Sequence, residues 1–136
     1  GLVNVRGSGG GSLGGSVKRS RWVAVSDQVE RLGGPEAFDR LCDDAFGPGE
    51  TEALARRGSS VEGRVARLLA KQLLGELLDL HLPPRAIQVV TDADGRPRVS
   101  GPAVRGDIAQ RLHVSLSHDG GLAAVLVVLD PAGPEP

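Results

Sequence analysis

The sequence predicts an α+β fold in which an antiparallel sheet packs on one long central helix, with shorter helices beside it. Between residues 61 and 80, apolar side chains recur three or four positions apart, which is typical of a largely buried α-helix. Apolar runs at residues 86–90 and 122–129 and the alternating apolar residues at 113–117 are typical of strands, and turn residues separate them. Helices and strands therefore occupy separate stretches of the chain, as in an α+β fold.

Length and composition indicate one domain, because the chain has 136 residues. Residues 1–20 contain seven of the 20 glycines and no acidic residue, so we expect a flexible tag or linker there. We expect the folded domain over residues 21–130 and a disordered tail over residues 131–136. Without the three basic residues of the first segment, the chain keeps 13 basic and 17 acidic residues. This balance argues against nucleic-acid binding.

The single cysteine, Cys42, excludes a disulfide within the chain and fits a reducing compartment. Helical spacing places it with Phe38 and Phe46, which favours a core position over a catalytic one. No apolar run reaches the roughly 18 residues that a membrane span needs. We therefore expect a cytoplasmic protein without a membrane partner.

The first half of the domain begins with a strand over residues 21–29 that delivers Asp27 at its C-terminal end. A carboxylate in that position is equally often a metal ligand and a helix cap. Glycines and prolines at residues 33–35, 47–49 and 58 interrupt the chain. Two short helices are expected between them, over residues 35–46 and 50–57.

The central helix should begin at Ser59 or Ser60, which are good N-caps, and end before Pro83. One side of it carries three cations in a row at helical spacing, namely Arg64, Arg67 and Lys71. Two interpretations of this row stay open: a solvated helix face, or a site that binds an anion.

The second half is expected to be mostly strands. Asp94 and Gly95 predict a hairpin, and Pro97 restricts the following strand to a sheet edge. A helix is expected over residues 102–112. The apolar run at residues 123–129 predicts a strand covered on both faces.

Two catalytic arrangements are disfavoured by spacing. Ser117, His118 and Asp119 are consecutive, and in a strand they point alternately to opposite faces, so they cannot form a triad among themselves. The three histidines lack the spacing of a metal site. The polar candidates that remain are Asp27, Arg67, Lys71, Gln72 and His118.

Four motifs together resemble the holo-acyl-carrier-protein synthases, the small phosphopantetheinyl transferases. They are DQVE at residues 27–30, ARLLAKQLLGEL at 66–77, DGRP at 94–97 and HVSLSHDGGLAAVLVV at 113–128. The resemblance implies the phosphopantetheinyl transferase fold and transfer of 4′-phosphopantetheine from coenzyme A to a serine of an acyl carrier protein. It also implies a homotrimer with active sites shared between neighbouring chains, and a monomer is the alternative.

The resemblance also assigns roles to individual residues. Asp27 matches a ligand of the divalent ion, usually Mg²⁺, that neutralises the pyrophosphate of coenzyme A. Arg67 and Lys71 match residues of the nucleotide site. Gly95 and Pro97 match the turn before a sheet strand beside the cofactor, and His118 matches a histidine near coenzyme A.

Three positions and one connection depart from the family pattern. Gln72 stands where the family has its second metal-binding glutamate, Glu76 stands where it has a lysine, and Val25 replaces a glycine. The connection at residues 81–85 is also short. Glu76 lies one helical turn from Gln72 and is the alternative metal ligand beside Asp27. The expected catalytic residues are therefore Asp27, Lys71, Glu76 and His118.

Two functions follow from this pattern. The first is transfer of phosphopantetheine by a divergent member of the family. The second is a paralogue that binds an acyl carrier protein or a coenzyme A thioester without transfer, as an accessory domain in polyketide or fatty-acid synthesis. Both start from the expectation that the central helix presents Arg67 and Lys71 to Asp27 and His118 across one shared cavity.

Overall fold

The computed structural model describes the chain in blocks separated by short gaps: residues 7–13, 15–57, 60–79, 81, 83–92, 94–102, 104 and 106–131. Five helices lie in these blocks: α1 (Val25–Arg31), α2 (Pro35–Ala45), α3 (Pro48–Arg57), α4 (Val61–Leu78) and α5 (Asp107–Arg111). The strands described are β1 (Gly7–Leu13), β2 (Ser16–Ala24), β3 (Gln88–Thr91), β4 (Pro97–Ser100), β5 (Leu112–Asp119) and β6 (Leu122–Leu129). A turn of 3₁₀ helix at Pro84–Ala86 precedes β3.

The architecture confirms the predicted α+β class. Four strands form an antiparallel sheet in the order β1-β2-β6-β5, and β3 and β4 form a separate hairpin. Helix α4 packs on one face of the four-stranded sheet, against β2, β5 and β6. We call this the inner face of the sheet and the opposite side its outer face.

Helix α4 forms because its sequence supplies a cap, a buried stripe and a stop. Ser60 precedes it in extended conformation, and its Oγ accepts a hydrogen bond from the Gly63 amide at 2.9 Å. Asp79 ends it with a left-handed φ of 51°. Its buried residues pack against apolar side chains of the inner face, such as Val23 and Val127. The predicted helix is therefore correct to within two residues.

The first strand ends earlier than predicted. β2 stops at Ala24, and Asp27 lies in the first turn of α1. The Val25 amide leaves the ladder and donates to the Gly121 carbonyl at 2.8 Å, and an acidic residue suits the first turn of a helix. The prediction of Asp27 at a strand end is therefore wrong.

The amino-terminal segment also differs from the expectation of a flexible linker. Residues 7–13 and 16–20 are strand residues, because β2 pairs with β6 from Val17 to Ala24 and β1 pairs with β2. Residues 1–6 and 132–136, to which the linker and tail predictions also apply, lie outside the described residues. Helix α5 is shorter than the helix expected over residues 102–112.

Strand β6 is covered on one face only, so the prediction of a strand buried on both faces is wrong. Helix α4 covers the inner face, where Ala123, Val125 and Val127 are buried. On the outer face Leu122 is 45% exposed and Leu126 is 38% exposed. The β6 sequence is apolar at every position, so alternation could not reveal which face is covered.

Gly101 has a positive φ of 124°, and a Cβ there would lie 2.2 Å from the Ala86 carbonyl oxygen. Gly34 has a φ of 97°, but a Cβ at that position would meet no atom within 4 Å. We expect Gly34→Ala to cost about 1–3 kcal/mol through backbone strain alone. Gly101→Ala adds a clash with backbone and should cost more than about 4 kcal/mol. Urea unfolding of both variants measures the difference, and equal losses would contradict the close approach.

Candidate functional site

Two of the predicted site residues, Arg67 and His118, meet beside Gly63 in the first turn of α4. A Cβ at Gly63 would lie 3.4 Å from Arg67 Nη1 and 3.6 Å from His118 Nε2. Arg67 Nη1 donates to the Gly63 carbonyl at 3.2 Å. The glycine therefore lets the guanidinium and the imidazole approach the same short piece of helix.

His118 reaches this position from β5. It pairs with Ala123 of β6, which is buried under α4, so the His118 side chain lies on the inner face of the sheet. Its Nδ1 lies 3.8 Å from a carboxylate oxygen of Glu62, and both side chains are partly exposed. His118 and Arg67, two of the four residues expected around one cavity, thus lie close together.

Arg67 also connects the helix to the β3–β4 hairpin. Its Nη2 donates to Thr91 Oγ1 at 2.9 Å, and Thr91 pairs with Pro97 across the ladder. The hairpin turn contains Gly95, which has a φ of 84° and whose amide donates to the Asp92 carbonyl at 3.0 Å. Pro97 is therefore the cross-strand partner of the residue that Arg67 contacts.

Asp92 organises this hairpin. Its carboxylate accepts hydrogen bonds from the Arg98 side chain at 2.8 Å and from the amides of Asp94 and Arg96 at 3.0 Å each. The Arg98 hydrogen bond, with help from these amides, lowers the pKa of Asp92 below its usual value. The carboxylate fixes the turn that carries Gly95 and Pro97.

Lys71 lies elsewhere, and the prediction that it faces a shared cavity is wrong. Its ammonium donates to Glu50 Oε1 at 2.6 Å, to the Pro84 carbonyl at 3.0 Å and to the Ile87 carbonyl. These contacts engage all three N–H groups, and the side chain is only 2% exposed. Lys71 therefore joins α4 to α3 and to the chain before β3, and its predicted catalytic and nucleotide-binding roles do not fit this geometry.

Glu50 completes the buried pair. Its carboxylate accepts from the Gly47 amide at 3.0 Å and from the Val89 amide at 2.8 Å. Burial lowers the pKa of Lys71 below its usual value, and the hydrogen bond and charge of Glu50 oppose this shift.

Cys42 is a buried core cysteine, and burial raises the pKa of its thiol above the usual value.

Glu76 lies far from the Arg67 and His118 pair. Thirteen residues separate it from Gly63, which is about 20 Å along a helix that rises about 1.5 Å per residue. Its two carboxylate oxygens accept from Arg21 Nη1 at 3.1 Å and from Nη2 at 3.2 Å. Glu76 is therefore engaged by a cation of β2.

The residues present do not fit a Mg²⁺ site of the expected kind. Mg²⁺ prefers carboxylate oxygens, yet Glu76 is paired with a guanidinium and position 72 carries a neutral amide. Within the described part of the chain, no group of three histidine, cysteine, aspartate or glutamate side chains is arranged to hold a metal. The expected ligand pair of Asp27 and Glu76 is thus not supported by the donor set.

Asp27 lies near a cleft of about 540 Å³. The cleft is bordered by the β5–β6 turn and by the starts of three helices, α1, α2 and α4. Val25 and Ser26, the neighbours of Asp27, line this cleft, together with Val29, Val61 and Glu62. Glu62 therefore borders the cleft and also contacts His118.

Sequence reasoning missed three residues of these contacts: Arg21, Glu50 and Thr91. Arg21 lies two residues before the buried Val23 in β2, which is a signal that both side chains point to the inner face. Glu50 and Thr91 had no such signal, because each finds its partner on an element distant in sequence.

Proteins of known family align with most of this chain. No helix in the described blocks is long and apolar enough to cross a membrane, and no family model matches the sequence. The holo-[acyl-carrier-protein] synthase of Anaeromyxobacter dehalogenans strain 2CP-C is 30% identical over 115 residues, which cover 79% of this chain and 90% of that protein. That of Mycobacterium sp. strain KMS is 36% identical over 124 residues, covering 79% and 91%.

A solved structure shares the fold. The holo-[acyl-carrier-protein] synthase of Helicobacter pylori in complex with coenzyme A superposes with a TM-score of 0.63 at 14% identity, over 83% of this chain and 99% of that one. The motifs, the fold and the relatives at 30% identity or more agree. This chain belongs to the holo-acyl-carrier-protein synthase family.

Proposed function

We propose that the protein transfers the 4′-phosphopantetheine arm of coenzyme A to a serine of an acyl carrier protein. The observation that carries this proposal is the juxtaposition of Arg67 and His118 over Gly63, beside the hairpin that bears Pro97. A guanidinium and an imidazole on one glycine suit a pyrophosphate, because both can donate hydrogen bonds to its oxygens. The relatives named holo-[acyl-carrier-protein] synthase support the substrate assignment.

The reaction asks the site to bind and orient two phosphoryl groups. The serine oxygen forms a bond to the phosphorus nearer the pantetheine, the bond from that phosphorus to the bridging oxygen breaks, and 3′,5′-ADP leaves. The serine proton passes to solvent. Arg67 lowers the barrier by holding the pyrophosphate oxygens, on which charge accumulates as the leaving group departs. Gly95 and Pro97 shape the neighbouring wall.

A site completed by a neighbouring chain accounts for the separation of the candidate residues. Arg67 and His118 meet at Gly63 near one end of α4, and Glu76 lies about 20 Å along the helix from that glycine. The outer face of the sheet exposes Trp22, Leu122 and Leu126, which form an apolar surface suited to self-association. We propose a homo-oligomer, with a trimer as the first candidate, in the cytoplasm.

The test is transfer itself. The protein is incubated with coenzyme A and an apo carrier protein, with and without Mg²⁺, and the carrier is weighed by mass spectrometry. We expect the phosphopantetheine mass increment on the wild-type carrier and none on a carrier whose acceptor serine is replaced by alanine. Binding of the carrier without any increment would contradict the proposal and favour the non-transferring paralogue.

A further inference from the structure

The Arg21–Glu76 pair is the feature of α4 that the proposed function leaves unexplained. Arg21 comes from β2, and its side chain is 13% exposed, whereas Glu76 is 39% exposed. Glu76 accepts one N–H from each terminal nitrogen of the guanidinium, at 3.1 Å and 3.2 Å. The carboxylate therefore holds the end of the guanidinium and fixes its plane.

The Nε–H of the same guanidinium is not engaged by Glu76. Arg21 Nε is buried and has no hydrogen-bond partner in the part of the chain that the structure describes. Together with the nearest terminal nitrogen, Nε–H forms a second fork of two parallel donors. Such a fork matches two oxygens of a phosphoryl group, which is the usual reason to find arginine rather than lysine in a phosphate site.

A second unpartnered polar atom lies one helical turn before Glu76. Gln72 Oε1 is buried and lacks a hydrogen-bond donor among the described residues. Residues four apart on a helix lie about 5–6 Å apart at Cβ, so Gln72 and Glu76 share one side of α4. Buried polar atoms are nearly always satisfied, and the unsatisfied atoms of Gln72 on α4 and Arg21 on β2 indicate a site that a polar ligand completes.

Charge decides what kind of ligand suits this face. A divalent cation would meet a guanidinium at close range, a neutral amide and a carboxylate whose oxygens are both taken. A phosphoryl oxygen would instead meet the unpartnered Nε–H of a cation that Glu76 orients. The charges of this face therefore favour an anionic ligand over a metal ion.

We propose that Arg21, oriented by Glu76, binds a phosphoryl group of coenzyme A and neutralises charge there without Mg²⁺. The inference rests on the proposed function and concerns a phosphoryl group bound at this end of α4, about 20 Å along the helix from Gly63, where Arg67 holds the pyrophosphate. Arg21 is a binding residue in this assignment, and Glu76 is a positioning residue that acts through it.

The test measures binding of coenzyme A by calorimetry, in EDTA and in excess Mg²⁺. Wild-type affinity should agree within about threefold between the two conditions, and Arg21→Gln should lower it about tenfold in both. The double variant Arg21→Gln with Gln72→Glu frees Glu76 and places two carboxylates one turn apart. It should regain affinity in Mg²⁺ only.

Arg111→Gln is the matched control, because Arg111 is also partly buried and paired, with Asp107 at 3.1 Å and with the Asp130 carbonyl at 2.8 Å. It should leave affinity unchanged. If Arg21→Gln does not fold, Arg21→Lys keeps the charge without the fork and should still bind at least about threefold more weakly.

Three outcomes would overturn the assignment: unchanged affinity in both Arg21 variants, a tenfold loss of wild-type affinity in EDTA, or a double variant that ignores Mg²⁺. A wild-type protein that binds no coenzyme A in either condition would instead overturn the proposed function, and this assignment with it.

Discussion

Replacing Lys71 by methionine should cost about 3–5 kcal/mol of unfolding free energy. The substitution leaves the Glu50 carboxylate buried with only two amide donors, from Gly47 and Val89. It also frees the carbonyls of Pro84 and Ile87, which the ammonium now satisfies. Urea unfolding of the purified variant measures this loss, and a large loss would show that Lys71 is a structural residue.

A double variant separates the buried charge from the packing. Glu50→Gln with Lys71→Met removes both charges and should recover most of the loss, because no uncompensated ion remains. Arg98→Met removes an exposed pair with Asp92 and should cost no more than about 1 kcal/mol. If the Lys71 variant were as mild as the Arg98 variant, the buried ion pair would be refuted.

Arg67→Gln should lower kcat/KM for coenzyme A about 10–100-fold, the value of losing a charged hydrogen bond to the substrate. The glutamine is shorter and neutral, so it cannot replace both the charge and the contacts to Gly63 and Thr91. Steady-state transfer to an apo carrier protein measures the ratio. We expect KM to rise as well as kcat to fall, because the pyrophosphate is held in the ground state and in the transition state.

Arg40→Gln provides the comparison for this experiment. Arg40 is an exposed arginine on α2, so the variant makes the same change of charge at a position with no role in the site. Its kcat/KM should match that of the wild type. An Arg67 variant that keeps full activity while its melting temperature is unchanged would refute the assigned pyrophosphate contact.

The helix that organises the fold was predictable because its signals are local. Ser60 caps it, and the apolar period between Val61 and Leu78 fixes its buried side. The β3–β4 hairpin was predictable for the same reason, since Asp94 and Gly95 specify a turn without help from the rest of the chain.

The place of Lys71 was not predictable from periodicity. It belongs to a row of cations that is typical of a solvated helix face, and it is buried because Glu50, Pro84 and Ile87 supply acceptors from other parts of the chain. Arg67, four residues earlier in the same row, finds its own partner on the hairpin. Helical spacing shows which side chains share a face, but distant elements decide what that face meets.

The amino-terminal strands show the same limit. Residues 7–13 are glycine and serine apart from one leucine, a composition typical of a linker, and they are strand residues only through pairing with β2. Strand β2 in turn pairs with β6, whose apolar sequence alone predicts a strand. Tertiary pairing thus overrides a weak local preference.

Gly63 couples the start of α4 to the candidate site. Its amide donates to the Ser60 cap, and its carbonyl accepts from Arg67. Any ligand that holds Arg67 in place therefore also discourages fraying of the first helical turn, by thermodynamic linkage. Occupancy of the pyrophosphate site and order at the amino end of the longest helix should rise and fall together, so slow amide exchange in that turn would report substrate binding.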